Sequence, residues 1–483
     1  MTGVRSYDEL YVGGQWVKPL GSDRIEVISP WTEQVIASVP EATARDMDVA
    51  IDAARRAFDH GPWPHLAVEE RLDCLRKFAA AMHARNDELA ELITAEIGTP
   101  IAFSQLAQAL APSLMVDAFI TQGAAHPWTE RRPNMIGGET IVRRLPVGVV
   151  GAIVPWNVPQ LVTMSKLIPA LVTGCTVVLK PSPESPLDAM WTAELLHDCG
   201  LPDGVVSVLP AGREVGEHMV RHPGVDKIAF TGSTAAGRRI GEICGAQVKR
   251  CSLELGGKSA AIVLDDADLT TTVNGLRFAS FLNSGQACAA QTRVLAPRSR
   301  YDEFVDALGG MVADLAVGDP REAGTEIGPM VARRQQERVT GYIQLGIDEG
   351  ARVVAGGVGM PDGLDHGWFV RPTLFADVGN DMRIAREEIF GPVLSVIPYD
   401  GDDQAVTLAN DSEFGLAGSV WSNDQERGQR IAGRIRTGTT AVNHYSADFN
   451  SPFGGFKASG IGREGPHYAI REMTDERLVV FNL

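Results

Sequence analysis

Residues 147–182 read VGVVGAIVPWNVPQLVTMSKLIPALVTGCTVVLKPS. The stretch opens with a Val-rich apolar run, turns through Pro-Trp-Asn-Val-Pro, continues at helical spacing and closes on a second β-branched run ending at Lys180. Strand, helix, strand with no polar alternation in the strands is the pattern of a βαβ unit on a parallel sheet, whose strands are covered on both faces. The pattern continues with VVSVLP at 205–210 and DKIAFTGS at 226–233, separated by helical stretches.

A second alternating block follows: SAAIVL at 259–264, a helix around Asp268 to Asn283, TRVLAP at 292–297, a long helix from Ser299, then RVVAGG at 352–357, VLSVIPY at 393–399 and GLAGSVW at 415–421. Two successive α/β blocks predict two domains with a cleft between them. Upstream, the first 45 or so residues mix short apolar alternations with turns such as Gly13-Gly14 and Ser29-Pro30, and helices are expected over 44–58 and 68–97. Residues 126–144 read as strand and turn. The C-terminal RLVVFNL, 477–483, reads as a strand with no obvious local partner, so the two segments together are expected to form a small third element.

The 483 residues accord with about three units at roughly 150 residues each. Composition is ordinary for a globular chain, with 44% hydrophobic and 22% charged residues. A net charge of −17 disfavours nucleic acid or anionic lipid as the main partner. No apolar stretch approaches the ~18 residues of a membrane span, and the N-terminal residues lack a signal-peptide pattern. The six cysteines form no CxxC pair and no metal-ligand spacing, so no metal is expected and the chain reads as a reduced, cytoplasmic protein.

Four positions stand out chemically. Cys288, in NSGQACAAQT, is flanked by Gly285, Ala287, Ala289 and Ala290, small residues that leave a nucleophile approachable, although an isolated cysteine is more commonly a small buried hydrophobe. Glu254 ends the alternating run CSLELGG beside two glycines, where a carboxylate can face a cleft as a general base or simply be a solvated edge charge. Asn157 sits in VPWNVP directly after an apolar strand; the prolines restrict its backbone, so its amide is placed either to donate to an oxyanion or to form an Asx turn. Lys180 ends a strand, the position at which open parallel sheets bind ligands. The run FTGSTAAGR follows a strand and opens a helix, so backbone N–H groups near Ser233 are positioned for a phosphate. Two similar patterns are set aside: Gly460 to Gly465 satisfies GxGxxG but follows no apolar strand, and Gly257-Lys258-Ser259 lacks the opening glycine of a P-loop, since position 252 is Ser252.

In order and spacing, VPWNVP, VVLKPS, FTGSTAAG, LELGGK, GQAC, EEIFGPV and SPFGGFKASGIGRE resemble the motifs of the aldehyde dehydrogenase superfamily. The resemblance runs from about Tyr11 to the C-terminus. It implies a Rossmann-like dinucleotide-binding domain over 1–124 and 147–256, a catalytic domain over 257–467, and an oligomerisation element from 125–146 and 468–483. It further implies a dimer or tetramer in which the terminal strand adds to a neighbour's sheet. Cys288 becomes the nucleophile, Asn157 the oxyanion donor and Glu254 the base that activates water. Cofactor positions are Ile153, Pro155, Trp156, Lys180, Gly212, Gly216, Thr231, Gly232, Ser233, Leu255, Gly256, Glu388 and Phe390. Substrate positions are Val158, Leu161, Val162, Ser165, Ala287, Ala289, Asp448 and Phe453. The expected cofactor is NAD, with NADP left open: three residues after Lys180, where many NAD-preferring relatives carry Glu, this chain has Pro183, followed by Glu184. Small residues at 158 and 165 leave room for a medium or bulky aldehyde. The rival activities are transfer of the acyl group to coenzyme A, which the Glu at 254 disfavours, and a thiol esterase without redox chemistry.

Overall fold

The computed structural model describes residues 4–445, 448 and 450–481. Its largest sheet has eight strands in the order Gly460–Ile461, Arg250–Glu254, Lys227–Thr231, Val149–Ile153, Thr176–Lys180, Val206–Val208, Leu10–Val12, Gln15–Val17. The five strands from Arg250–Glu254 to Val206–Val208 run parallel, while the short strands at both ends pair antiparallel. From Val149–Ile153 the chain winds outward through two further strands, then returns to lay Lys227–Thr231 on the other side of Val149–Ile153. The order therefore reverses between these two strands, and in open parallel sheets ligands bind in the crevice at the carboxyl side of such a reversal.

The second sheet has seven strands: Arg352–Ala355, Thr373–Ala376, Val393–Tyr399, Arg293–Pro297, Ala260–Val263, Gly418–Trp421 and Ala441–Val442. All pairs are parallel except that of the edge strand Arg352–Ala355. Both sheets are sandwiched between helices, and the central strands carry side chains buried on both faces, which is why they show no alternation.

Two expectations are corrected. The predicted helix over 68–97 is two helices, Val68–Ala84 and Asn86–Ile97, broken at Arg85, whose guanidinium bonds Glu88 and Glu194 and lies over Trp191. The long helix from Ser299 is a 3₁₀ turn, Arg298–Arg300, leading into Tyr301–Ala313; a loop containing Pro320, Gly324, Gly328 and Pro329 separates it from the next helix, Arg333–Asp348. The expected third element is present: the terminal strand, Thr474–Phe481, pairs along its length with Glu139–Pro146, which pairs in turn with Thr129–Pro133. Its outer edge carries no strand among the described residues. Asn482 and Leu483 lie outside the described residues.

Candidate active site

The site is assembled where the carboxyl ends of the first sheet's strands meet the segments leading into the amino ends of the second sheet's strands, at Gly257, Cys288, Glu388 and Leu416. Helix Leu269–Phe281 ends in a segment with three successive left-handed residues, Asn283 (φ 50°), Ser284 (φ 59°) and Gly285 (φ 72°). For the two non-glycines this costs on the order of 1–3 kcal/mol each and persists only where the surroundings dictate it. They do so from four directions. Thr99 Oγ1 donates to Asn283 Oδ1 at 2.9 Å and Asn283 Nδ2 to the Asn157 carbonyl at 2.8 Å. Ser284 Oγ accepts from the Gly328 N–H at 2.9 Å, and Gln286 Oε1 from the Val331 N–H at 3.0 Å. A β-carbon at 285 would lie 2.3 Å from the Gly391 carbonyl oxygen, so only glycine fits. The loop delivers Cys288, half-buried, into an apolar group with Ala289, Leu416, Ala417, Tyr445 and Phe453.

Asn157 follows strand Val149–Ile153 and is 4% exposed. Its Nδ2 donates to the Gln286 carbonyl at 3.0 Å, two residues before Cys288, and its own carbonyl accepts from Gln108 Nε2 at 2.8 Å. One of the two amide hydrogens is thus committed to the cysteine loop, and the second remains for another acceptor. Gln108 comes from a π-helical turn, Ser104–Leu110, a form that occurs frequently at functional sites.

Glu254 ends its strand equally buried, and its Oε2 has no hydrogen-bond partner among the described residues. Burial, and then the neighbouring Glu464 carboxylate, push its carboxyl well above the ordinary range; Lys166 and Arg463 pull it down. Lys166 is itself buried and donates to Glu464. Burial also pushes the Cys288 thiol up to about 12, reinforced by Glu388 and then Glu254.

The remaining predicted positions line the crevice of the first sheet. Lys180 is buried, donates to the carbonyls of Pro181 (2.9 Å) and Ala211 (2.6 Å), and is held down to about 8 by burial. A side chain at Gly216 would press on Lys180 Cε at 3.0 Å. Gly212 precedes helix Arg213–Arg221, and Ser233 caps helix Thr234–Ala246, its hydroxyl accepting from the Ala236 N–H. Beside the cap, the buried Thr231 Oγ1 has no partner among the described residues. Ile153 is buried, Pro155 and Trp156 are half-buried, and Trp156 meets the Phe390 ring edge-on at 5.4 Å. Glu388 accepts from the Gly257 N–H at 2.9 Å and is pushed up to about 7 by burial, and a β-carbon at Gly256 would lie 2.5 Å from its Oε2. Leu255 is buried against Gly237 of the capped helix.

The aldehyde dehydrogenase family profile matches residues 16–479. The chain belongs to the aldehyde dehydrogenase family. It is similar to the geranial dehydrogenase of Castellaniella defragrans, at 48% identity over 95% of this chain and 96% of that relative. Among solved structures it resembles a Mycobacterium tuberculosis aldehyde dehydrogenase complexed with NAD+ (TM-score 0.97, 47% identity, 99% of each chain). It also resembles a mutant of aldehyde dehydrogenase C from Pseudomonas syringae complexed with NAD+ and octanal (TM-score 0.95, 39% identity, 98% of this chain and 96% of that one).

In this aldehyde dehydrogenase the substrate positions divide. Val158, Leu161, Val162 and Ser165 share the turn and helix that follow Asn157, and the Ser165 hydroxyl is turned back to the Val162 carbonyl at 2.9 Å. Ala287, Ala289 and Phe453 surround Cys288 in sequence or in space. Asp448 is exposed, and its carboxylate is engaged by the Asn450 N–H and the Ser451 hydroxyl of its own loop. Glu184, one place beyond Pro183, is tied to the Ser182 hydroxyl and to Arg334 of helix Arg333–Asp348.

Sequence reading missed several supports: Gln108, Asn283 and Gln286 around Asn157, and Lys166 with Glu464 behind Glu254. It also missed Gln335 and Arg338, whose side chains hold the carbonyls of Phe390 (2.7 Å), Glu388 (2.5 Å) and Ile389 (3.3 Å). Those carbonyl contacts help hold Phe390 at φ 66°.

Proposed function

We propose that this aldehyde dehydrogenase oxidises aldehydes to carboxylic acids with NAD+, through a thioester on Cys288 that Glu254 helps water to cleave. One observation carries the reading: the Asn157 amide is fixed to the Cys288 loop, so nucleophile and oxyanion donor are positioned by the same hydrogen bonds. The crevice fits a dinucleotide, with a capped 13-residue helix and an unpartnered Thr231 hydroxyl toward the pyrophosphate. Lys180 lies on the ribose side, and Glu388 with Phe390 on the nicotinamide side. When bound, the nicotinamide supplies the hydride acceptor.

An aldehyde C–H bond is a poor hydride donor while its carbon is trigonal. The Cys288 thiol gives up its proton to solvent, the thiolate sulfur adds to the carbonyl carbon and the π electrons move to oxygen, giving a thiohemiacetal oxyanion that accepts from the Asn157 amide and the Cys288 backbone N–H. The C–H bond then leaves with its electron pair as hydride, the carbonyl re-forms, and a thioester remains on Cys288. Glu254 takes a proton from water as the oxygen attacks, the C–S bond breaks, and the acid departs. Burial, Glu388 and then Glu254 oppose ionisation of Cys288, so the addition step draws on the thiolate fraction of this sulfur. The Lys166–Glu464 pair behind Glu254 offers the proton an outlet.

Val158, Leu161, Val162 and Phe453, with little bulk at Ser165, favour a medium or bulky apolar aldehyde; the named relatives act on geranial or were solved with octanal. We assign 1–124 with 147–256 to the dinucleotide-binding domain, 257–467 to the catalytic domain, and 125–146 with 468–483 to a homo-oligomerisation element. The open edge of Thr474–Phe481, with Leu478, Val480 and Phe481 exposed, supports that last role. The unpaired cysteines accord with a cytoplasmic site. The test is NADH formation from a panel of aliphatic, aromatic and terpenoid aldehydes: Cys288→Ser should abolish it while cofactor binding persists, and more than about a tenth of wild-type kcat, ~1.4 kcal/mol of barrier, refutes the assignment.

A further inference from the structure

Helix Thr234–Ala246 lies unusually close to strand Arg250–Glu254 and its continuation. Gly237 faces Leu255, where a β-carbon would sit 2.4 Å from Leu255 Cδ2, and Gly241 faces Leu253 at 3.8 Å. The helix repeats this face one turn later at Cys244, and the strand repeats it two residues earlier at Cys251. The glycines bring the two backbones near enough for two short side chains to meet, and Cys251 packs against the apolar cluster that holds Cys244. Cys244 is buried in the apolar core, whereas Cys251 is half-buried. Only the tight loop 247–249 separates the two elements, with Val248 left-handed (φ 54°) and exposed.

We propose that Cys244 and Cys251 are a redox-active dithiol, a modification site separate from the catalytic cysteine, which a hydroperoxide converts to a disulfide. The Cys251 sulfur attacks the peroxide O–O bond and becomes a sulfenic acid as one water leaves. The Cys244 sulfur then displaces hydroxide from it, forming the S–S bond and a second water, so two thiols lose two electrons and the peroxide gains them. The surroundings favour this order. Cys251 is half-buried and open to a peroxide, with Lys227 on the adjacent strand adding positive charge beside it, whereas Cys244 is enclosed in the apolar core and suits the resolving partner. Cys288 lies beside two carboxyls that oppose its ionisation.

The sequence supplies the readout. Trypsin cuts after Arg239, Lys249, Arg250 and Lys258, placing the two cysteines on separate peptides, 240–249 and 251–258. Full-length, cofactor-free enzyme is titrated with hydrogen peroxide, quenched by alkylation and mapped by mass spectrometry. The expected result is a linked 240–249/251–258 pair lacking two hydrogens, reversed by dithiothreitol and formed at least about tenfold faster than any oxidation of Cys288. In Cys244→Ser, a dimedone adduct should collect on Cys251. Oxidation of Cys288 while both thiols of the pair remain alkylatable overturns the proposal, as does a dimedone adduct on Cys244 rather than Cys251. The wild-type map alone decides the first point should a variant fail to fold.

Discussion

Replacing Glu254 with Gln separates the two halves of the reaction. The side chain keeps its shape but can no longer take a proton from water. Losing a general base costs roughly 10²–10⁴-fold, which is about 2.7–5.5 kcal/mol on deacylation. Acylation does not use this base, so in a stopped-flow experiment at saturating NAD+ the variant should release a burst of NADH equal to the number of active sites and then nearly stop. Intact-mass measurement of the stalled enzyme should show an acyl adduct, and peptide mapping should place it on Cys288. Because Glu254 Oε2 has no partner, the new amide group is buried without a fixed acceptor, at a cost of about 1–3 kcal/mol. The variant's melting temperature must therefore be followed alongside its kinetics. A steady-state rate within about tenfold of wild type would place the base elsewhere, and a vanished burst would show that Glu254 acts before hydride departure. The structure also fixes the sign of a pH effect. Glu464 raises the Glu254 carboxyl and its ion pair occupies Lys166, so Glu464→Gln should move the rising limb of deacylation to lower pH. A shift to higher pH contradicts the geometry.

Asn157→Ala should lower the burst rate itself by about 10²–10³-fold, the usual loss of one oxyanion donor, measured in the Glu254→Gln background; a burst within about fivefold of the parent refutes the role. For the cofactor, NAD+ should be preferred with measurable NADP+ use, because Pro183 cannot repel a 2′-phosphate and Arg334 is neutralised by Glu184. Glu184→Gln should raise relative NADP+ kcat/KM, Pro183→Glu should lower it, and a wild-type NADP+ preference above about tenfold contradicts the reading. Lys258, fully buried with no partner for its Nζ among the described residues, is held down to about 7 by burial. Its folded pKa lies below its unfolded one, so between them the unfolded chain binds the extra proton and wild-type stability climbs with pH. Lys258→Met removes that climb, and its gain in Tm should be larger near pH ~6 than near pH ~10; equal gains refute it.

The parallel strands were legible because strands covered on both faces show up as uninterrupted β-branched runs, and Cys288, Glu254, Asn157 and Lys180 were legible because each sits beside such a run or a glycine turn. The break at Arg85 was not, since neither glycine nor proline marks it and the kink is held by ion pairs to Glu88 and to Glu194, more than a hundred residues away. The terminal strand was legible as part of a third element with the segment before residue 147, but its register, Thr474 opposite Pro146, was not, because it is set by residues more than three hundred positions apart. Lys166 and Glu464 look like ordinary charges in sequence and acquire meaning only where two distant segments meet behind Glu254. The GxGxxG at 460–465 is explained by packing rather than phosphate binding. A β-carbon at Gly460 would lie 2.0 Å from the Leu253 carbonyl oxygen and one at Gly462 3.1 Å from Ser252 Cβ, so these glycines let the chain press against the strand that carries Glu254.

The strain before Cys288 has a physical purpose that no single contact reveals. Two left-handed non-glycine residues together cost on the order of several kcal/mol, comparable to a large part of a protein's net stability. Their hydrogen bonds come from Thr99, from the Asn157 backbone and from the loop at Gly328, segments that otherwise belong to different parts of the fold. Folding energy from both sheets is thereby concentrated on one short loop, and its product is a cysteine whose position relative to the Asn157 amide is set before any aldehyde arrives. A flexible loop would have to be ordered at each turnover, at a cost to the barrier that the rigid one has already met in folding. The same reasoning applies to Gln335 and Arg338, which grip three successive carbonyls at 388–390: the segment proposed for the nicotinamide side is fixed by helix Arg333–Asp348, so it is held in place as firmly as the cysteine loop.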